Sequence, residues 1–285
     1  MTTLVIVHWN RPQECIRTVE SFRGQDSTFN VIIVDNGSRP EAKESLERSI
    51  QNATIIGLST NIGWGPAVNV GLRHWMAHHA EEWVIVAPHD AMPHEGCLRL
   101  LFDELGRQPR AGIGCAEYGL ELNATYDWLH GARVMQRQRG VGWEDVVHPC
   151  GTLMAFRRAM LDEIGYLDEH YFAYGEEVEY AFRARRAGWE VGQVWGATVS
   201  NPIREASSQL TWYLLVRNSI LNVYQISGFI PACIRTLAAL AGVIGMKIIP
   251  RRAPEGDCAR LRLRAIRDFW VGRLGSPPLD LLLPQ

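Results

Sequence analysis

The feature that most restricts the fold is a repeat of short apolar runs, each closed by a polar turn. Leu4-Val5-Ile6-Val7, Val31-Ile32-Ile33-Val34, Thr54-Ile55-Ile56 and Trp83-Val84-Ile85-Val86 are rich in β-branched residues and show little polar alternation. Such runs fit strands buried on both faces. Helix-like segments separate and follow them: Pro12 to Phe22 before Gly24, about Pro40 to Ile50, Ala67 to His78, and Gly96 to Leu105. Pro12 suits a first helical turn, where its missing N–H costs nothing. Strand and helix in alternation predict an α/β fold with a parallel sheet covered on both faces. In such sheets ligands bind beyond the carboxyl ends of the strands. The residues there are His8-Trp9-Asn10, Asp35-Asn36-Gly37-Ser38 and His89-Asp90.

The rest of the chain departs from this rhythm. Residues 117–148 hold Trp128, His130, Trp143 and His148 among glycines and charges, and read as an irregular or β-rich excursion. From Phe156 to Ala187 a mixed helical pattern returns, with the acidic knot Glu176-Glu177-Val178-Glu179. The last third is helical. Phe229 to Ile249 is its most apolar stretch, but the longest charge-free run there is the eleven residues between Arg235 and Lys247. A membrane span needs about 20. A final helix from about Cys258 to Arg273 sets Arg260, Arg264 and Arg267 on one face and Leu263, Ile266 and Trp270 on another. That pattern suits an anionic membrane surface.

Composition excludes several classes. With 285 residues, 47% hydrophobic and 21% charged, the chain is neither disordered nor of low complexity. A net charge of -2 carries no nucleic-acid signature. The charge is uneven: from Gly228 onward there are nine Lys+Arg and four Asp+Glu, so a basic tail follows an acidic body. The six cysteines form no CxxC pair and no zinc-ligand spacing, which predicts free thiols in a reducing compartment. The first apolar run is broken by His8, Asn10 and Arg11, unlike a signal peptide, so a cytoplasmic location is expected.

Phosphate is not held by a glycine cradle. After the first strand a dinucleotide fold would carry G-x-G-x-x-G, and this chain has His8-Trp9-Asn10-Arg11-Pro12; it has no Walker A run either. An acidic route remains, in which carboxylates anchor a divalent cation that holds a diphosphate. Asp90, after a buried strand, is the candidate anchor. Glu176 and Glu177 open a helix-like segment, where carboxylates are favoured by the helix dipole and where a general base can sit.

Together these segments resemble glycosyltransferase family 2. The opening VIVHWNRPQECIRTVESF is similar to that family's first strand and YNR start, and VIIVDNGS to its second strand and turn. NIGWGPAVNVGL matches its N-x-G-x-x-x-x-x-N-x-G-L segment, and VAPHDAMP its degenerate DxD site in the form used by a rhamnosyltransferase-like branch. GTLMAFRRAMLDEIGYLDEHYFAYGEEVEYAFRARRAGWEV is the most specific match, and RNSILNVYQ and IRDFWVGRLG resemble tail elements. The resemblance spans roughly residues 3 to 275.

It implies a GT-A fold, a Rossmann-like mixed sheet, with a catalytic domain over 1–205 (donor half about 1–116, acceptor half about 117–205) and a helical, basic extension over 206–285. It implies an inverting transferase using a dTDP- or UDP-sugar, a saccharide or lipid-linked acceptor, and Mg²⁺ or Mn²⁺. His8, Asn10, Arg11, Asp35, Asn36, Asn61, Gly63, Asn69, His89 and Asp90 would line the donor site, with Asp90 on the metal. Glu177 would be the base and Glu176 its neighbour. Trp128, Tyr174 and Arg217 are candidates for acceptor handling. This sequence departs from the pattern at three places: Glu177 stands where the family has Asp, Pro88 replaces the first DxD carboxylate, and Ser200-Asn201 replace a metal-binding His. Those departures predict weak metal affinity. The alternative is a non-catalytic sugar-nucleotide binder or scaffold on the same fold. A nucleotidyltransferase would need a glycine-rich loop where HWNRP stands.

Overall fold

The computed structural model describes residues 2–25, 28–118, 122–136, 138–201, 209–248 and 258–282. The 205/206 boundary expected above lies outside them. Four parallel strands form as the apolar runs predict: β1 (Thr2–His8), β2 (Phe29–Asp35), β3 (Ala53–Gly57) and β4 (Trp83–Pro88). The helices between them are α1 (Pro12–Arg23), α2 (Pro40–Ser49) and α3 (Trp64–His78). Then come β5 (Met92–Pro93), α4 (Cys97–Arg107), β6 (Ala111–Glu117), β7 (Leu122–Asp127), β8 (Gly131–Gln136), β9 (Gly142–Asp145), β10 (Met154–Arg157), α5 (Arg158–Ile164), α6 (Glu176–Arg186) and β11 (Glu190–Ser200). The C-terminal helices are α7 (Gln209–Ser227), α8 (Phe229–Ile248), α9 (Cys258–Trp270) and the short α10 (Leu279–Leu282).

The main sheet runs β3-β2-β1-β4-β10-β6-β11-β5, with β9 on β11. It is mixed: β10 is antiparallel to both β4 and β6, and β5 and β9 are antiparallel to β11. Strands from both expected halves therefore share one sheet. The excursion at 117–148 resolves into the β7–β8 hairpin and β9.

Alternation along each strand divides the core. Leu4, Ile6, Val31, Ile33 and Ile85 face α1, α2 and α4, while Val5, Val7, Ile32, Val34, Val84 and Val86 face α3, α5 and α6. Helix α3 lies so close to the sheet that a Cβ on Gly71 would sit 2.3 Å from Val5 Cγ1, so that position excludes any side chain. A third cluster joins α7, α8 and α9 to Tyr171 and Phe172. In α9 the buried stripe is Leu261, Ala265, Ile266 and Phe269. Leu263 and Trp270, expected to share a face with Ile266, stay exposed at 48% and 39%, and the Trp270 indole N–H donates to Thr236 Oγ1 of α8 at 3.2 Å. Among the described residues no helix is long and apolar enough to cross a membrane. Cys15, Cys97, Cys115, Cys150 and Cys233 are free thiols.

Candidate active site

The strand order reverses between β1 and β4, which opens a crevice at their carboxyl ends. Parallel register sets His8, the last residue of β1, beside Asp35, the last of β2. His8 Nδ1 lies 3.0 Å from Asp35 Oδ1, with both side chains almost fully buried. The Arg11 backbone N–H donates to His8 Nε2 at 3.1 Å, so the ring proton is on Nδ1 and is donated to Asp35. Burial alone would raise the Asp35 carboxyl, but hydrogen bonds from His8 and Ser38 outweigh it and hold the group below its usual value. Asn10, with a left-handed φ of 56°, accepts the Arg39 N–H through Oδ1 at 2.8 Å and donates its own N–H to Ser38 Oγ at 2.9 Å. The loops after β1 and β2 are thereby clasped over the His8–Asp35 pair.

Asn36 and Asn61 shape the loop that opens α3. Asn36 Nδ2 donates to Asn61 Oδ1 and to the Gly63 carbonyl, each at 3.0 Å, and Asn36 Oδ1 accepts the Ile62 N–H. Asn61 Oδ1 also accepts the Gly63 N–H at 2.9 Å. Gly63 has φ of +100°, and a Cβ there would lie 2.2 Å from the Phe172 carbonyl oxygen. That carbonyl accepts the Trp64 N–H at 2.6 Å, so the segment 168–177 is docked on the start of α3.

Docking of this segment brings in the acidic pair. Glu176 Cγ lies 3.3 Å from where a Gly65 Cβ would stand. Glu176 is 4% exposed and its Oε2 has no partner. Burial, the Glu177 charge and a hydrogen bond shared with Glu177 push its carboxyl well above the usual range. Glu177 is only partly buried, and its Oε2 accepts the Gly175 N–H at 3.0 Å. Tyr174, with φ of 67°, and Gly175, at 102°, make the turn into α6. Asn218 of α7 holds that turn by donating from Nδ2 to the Ala173 and Tyr174 carbonyls, at 2.8 and 2.7 Å. Asn222 Oδ1 and Gln225 Oε1 accept from Tyr171 Oη, and Gln225 Nε2 donates to Asp168 at 2.7 Å. The sequence reading missed these α7 residues. Their signal was there: polar side chains at helical spacing on an otherwise apolar helix, which are buried only when something polar faces them.

His89 and Asp90 follow β4 and are both half-buried. His89 Nδ1 faces the Val7 carbonyl at 3.3 Å, and burial pushes its imidazole below the usual value. Pairing of β5 with β11 sets Ser200 beside Met92, two residues beyond Asp90. Asn201 Oδ1 there is buried without a partner. Among the described residues no group of three or more His, Cys, Asp or Glu is arranged to hold a metal. A site built by the protein alone does not fit these residues. A cation that arrives on a diphosphate does fit, because such a cation takes one or two carboxylates and fills its shell with phosphate oxygens and water.

Two expectations are corrected. Asn69 is fully buried and its amide clasps the far segment: Nδ2 donates to the Leu167 carbonyl at 2.8 Å and Oδ1 accepts the Leu167 N–H at 3.0 Å. It does not line the cleft. Arg217 is also fully buried. It donates to the Arg273 and Gly275 carbonyls and to Asn218 Oδ1, and so ties α7 to the chain after α9 instead of meeting an acceptor. Trp128, at the β7–β8 turn, and Tyr174 remain exposed, at 53% and 44%.

A model of glycosyl transferase family 2 matches residues 3–165. The chain belongs to glycosyl transferase family 2. It is 35% identical over 249 residues to the low-salt glycan biosynthesis hexosyltransferase Agl10 of Haloferax volcanii, covering 77% of this chain and 74% of that protein. It is 26% identical over 195 residues to the N-acetylglucosaminyl-diphospho-decaprenol L-rhamnosyltransferase of Mycobacterium tuberculosis, covering 56% of this chain and 62% of that relative's length. GalNAc-T7, solved with UDP, GalNAc and Mn²⁺, superposes with a TM-score of 0.67 at 16% identity, covering 95% of this chain and 56% of that one. The family 2 member described here therefore has the GT-A fold, with a helical C-terminal part.

Proposed function

We propose that this family 2 protein transfers a sugar from a nucleoside-diphosphate donor to a hydroxyl of a saccharide or lipid-linked acceptor, with inversion. The donor sugar we favour is a deoxysugar such as rhamnose on dTDP, with UDP-sugars next, because the mycobacterial relative is named for L-rhamnosyl transfer to a diphospho-decaprenol-linked saccharide. The observation that carries the reading is the carboxyl pair at the start of α6, set on the loop that opens α3 beside the sheet's switch point.

Glu177 is the base in this reading. Its neighbour Glu176, whose carboxyl is pushed well above the usual range, is too buried to meet a substrate. The acceptor O–H gives its proton to Glu177 as the acceptor oxygen bonds to the anomeric carbon. The bond from that carbon to the diphosphate oxygen breaks on the opposite face, and the nucleoside diphosphate leaves with the electron pair. Mg²⁺ or Mn²⁺ bound with the diphosphate would neutralise charge that grows on the leaving group, and Asp90 is the residue that would hold it. Asn10, Arg11, Asn61, Gly63 and His89 frame the donor, with His8, Asp35 and Asn36 as its floor. Trp128 and Tyr174 offer aromatic faces to the acceptor. A lipid-linked acceptor would be met by a peripheral protein on the cytoplasmic face of a membrane.

The test is a thermal-shift and transfer panel with UDP, dTDP and GDP and their sugars, each with and without Mg²⁺ or Mn²⁺. A ligand at about 100 times its Kd stabilises by about 2.7 kcal/mol. One nucleotide giving a metal-dependent shift, and its sugar giving inverted product, is the expected result. A shift without transfer to any acceptor supports the non-catalytic binder. No shift with any nucleotide removes both readings.

A further inference from the structure

We propose that the outer face of α8 docks on an anionic lipid bilayer. The proposal deepens the lipid-linked reading of the acceptor, but its evidence lies outside the cleft. Phe229, Ile230, Ile234 and Leu237 are 61%, 72%, 38% and 65% exposed, and Ala241 is exposed as well. Their spacing sets them on one side of the helix, while Ala232, Ala239 and Val243 on the other side are buried. The usual surface helix hides its apolar stripe and shows a polar one. Here the exposed stripe is itself apolar, over more than two turns. Trp270 and Val271, at the end of α9, extend it: the Trp270 ring packs edge-on against Phe229, with centroids 5.7 Å apart.

Charge selects the occupant. No Asp or Glu occurs between Glu205 and Glu255, a stretch that contains Arg235, Lys247, Arg251 and Arg252 besides the buried Arg217. Helix α9 carries exposed Arg260 and Arg267, and Arg273 follows it; Arg267 and Arg273 lie 2.8 and 3.8 Å from the buried Asp268. Together with Arg264 and Asp280, Arg260 and Arg267 line an open cavity of about 720 Å³. An apolar face on a segment that carries nine Lys+Arg against four Asp+Glu from Gly228 onward matches acyl chains bordered by anionic headgroups. A second copy of this chain is a poorer partner, because a two-fold contact would bring the same cations together. The proposed contact centres on α8 and adjoins the one expected on α9, whose Leu263 and Trp270 are also exposed, at 48% and 39%.

The experiment is co-sedimentation with phosphatidylcholine vesicles, plain and doped with about one-third phosphatidylglycerol. The wild type is compared with the double variant Ile230→Asp/Leu237→Asp and with Leu237→Gln alone. Both positions are solvent-facing, and circular dichroism and melting check that the fold is kept. The expected result is salt-sensitive binding of the wild type to the doped vesicles, weakened about tenfold or more in the double variant and less in Leu237→Gln. A wild type that ignores both vesicles, or variants that bind as it does, overturns the proposal. So does a wild-type dimer, seen by light scattering, that the double variant splits, since the face is then a contact between copies. Vesicle binding is read without turnover, so failure here leaves the transferase reading standing, and failure of transfer leaves this one standing.

Discussion

Two acids are buried on either side of the loop 58–65, and their surroundings treat them in opposite ways. Asp35 is met by two donors, the His8 Nδ1–H and Ser38, and stays ionised although it is only 1% exposed. Glu176 is nearly as buried, has an oxygen with no partner and Glu177 beside it, and is pushed well above the usual range. Burial therefore does not decide the charge of an acid here; the donors that face it do. The contrast divides the labour in the cleft. The His8–Asp35 pair forms a fixed negative floor under the loops after β1 and β2. The α6 pair sets a buried carboxyl that is pushed toward its protonated form beside a partly buried one, the carboxyl proposed above as the base.

The most direct way to break that division is Glu177→Gln. The variant keeps the size of the side chain and its bond to the Gly175 N–H, but removes the carboxylate that the proposed mechanism uses as base. Transfer should fall about 10²–10⁴-fold in kcat, with donor affinity unchanged by titration. Undiminished turnover would show that the free carboxyl of the pair is not the base.

Asp35→Ala attacks the other side. It leaves a buried imidazole N–H without an acceptor, at a cost of about 1–3 kcal/mol. At about 2–4 °C per kcal/mol the loss is readable in a melt. The sign with pH is fixed. A carboxyl held below its usual value adds stability above pH 3.8 and loses it as the pH falls through the lowered value. The gap between wild type and variant should therefore narrow in acid. A gap that is constant with pH would mean that packing, not charge, is what Asp35 supplies.

The two sites were not equally legible. His8, Asp35, His89 and Asp90 stand at the ends of β-branched runs, where the period of the strand and the rule for sheet ligands are both local. The position of Glu176-Glu177 at a helix start was local too. Asn69 was placed in the donor site, and Arg217 at the acceptor, without sight of the backbone each one satisfies. Each instead satisfies backbone groups distant in sequence, Leu167 for Asn69 and Gly275 for Arg217. The antiparallel β10 was hidden for the same reason: four residues of strand become readable only when β4 and β6 are already beside them. The stripe of α9 that packs was chosen by α7 and α8, not by the periodicity of α9 alone.

Asn218→Ala sharpens the comparison from a distance. It removes the donor to two carbonyls at the Tyr174 turn, costing about 1 kcal/mol of stability. Because that turn aims Glu177, kcat should drop more than donor affinity does. A loss of stability with kcat intact would mean that the turn holds its shape without α7.

Glu176→Gln has the smallest expected effect and the most discriminating sign. The carboxyl is raised well above 4.5 in the folded chain. Below pH 4.5 folded and unfolded chains both hold the proton, and the group adds no pH dependence. As the pH rises above 4.5 the unfolded chain releases its proton while the folded one keeps it. Folding is then penalised progressively until the folded carboxyl itself ionises. Gln has no proton to release, so the variant lacks this slope. Its melting temperature relative to wild type should climb as the pH rises above 4.5 and level off once the folded carboxyl ionises, the reverse of the trend for Asp35→Ala. The Gln amide can still donate to Glu177, so transfer should survive. If the two variants trend the same way with pH, the charge states assigned to the two acids are wrong. If the trends oppose but Glu176→Gln also abolishes transfer, then the proton on Glu176, and not only its hydrogen bond, takes part in the reaction.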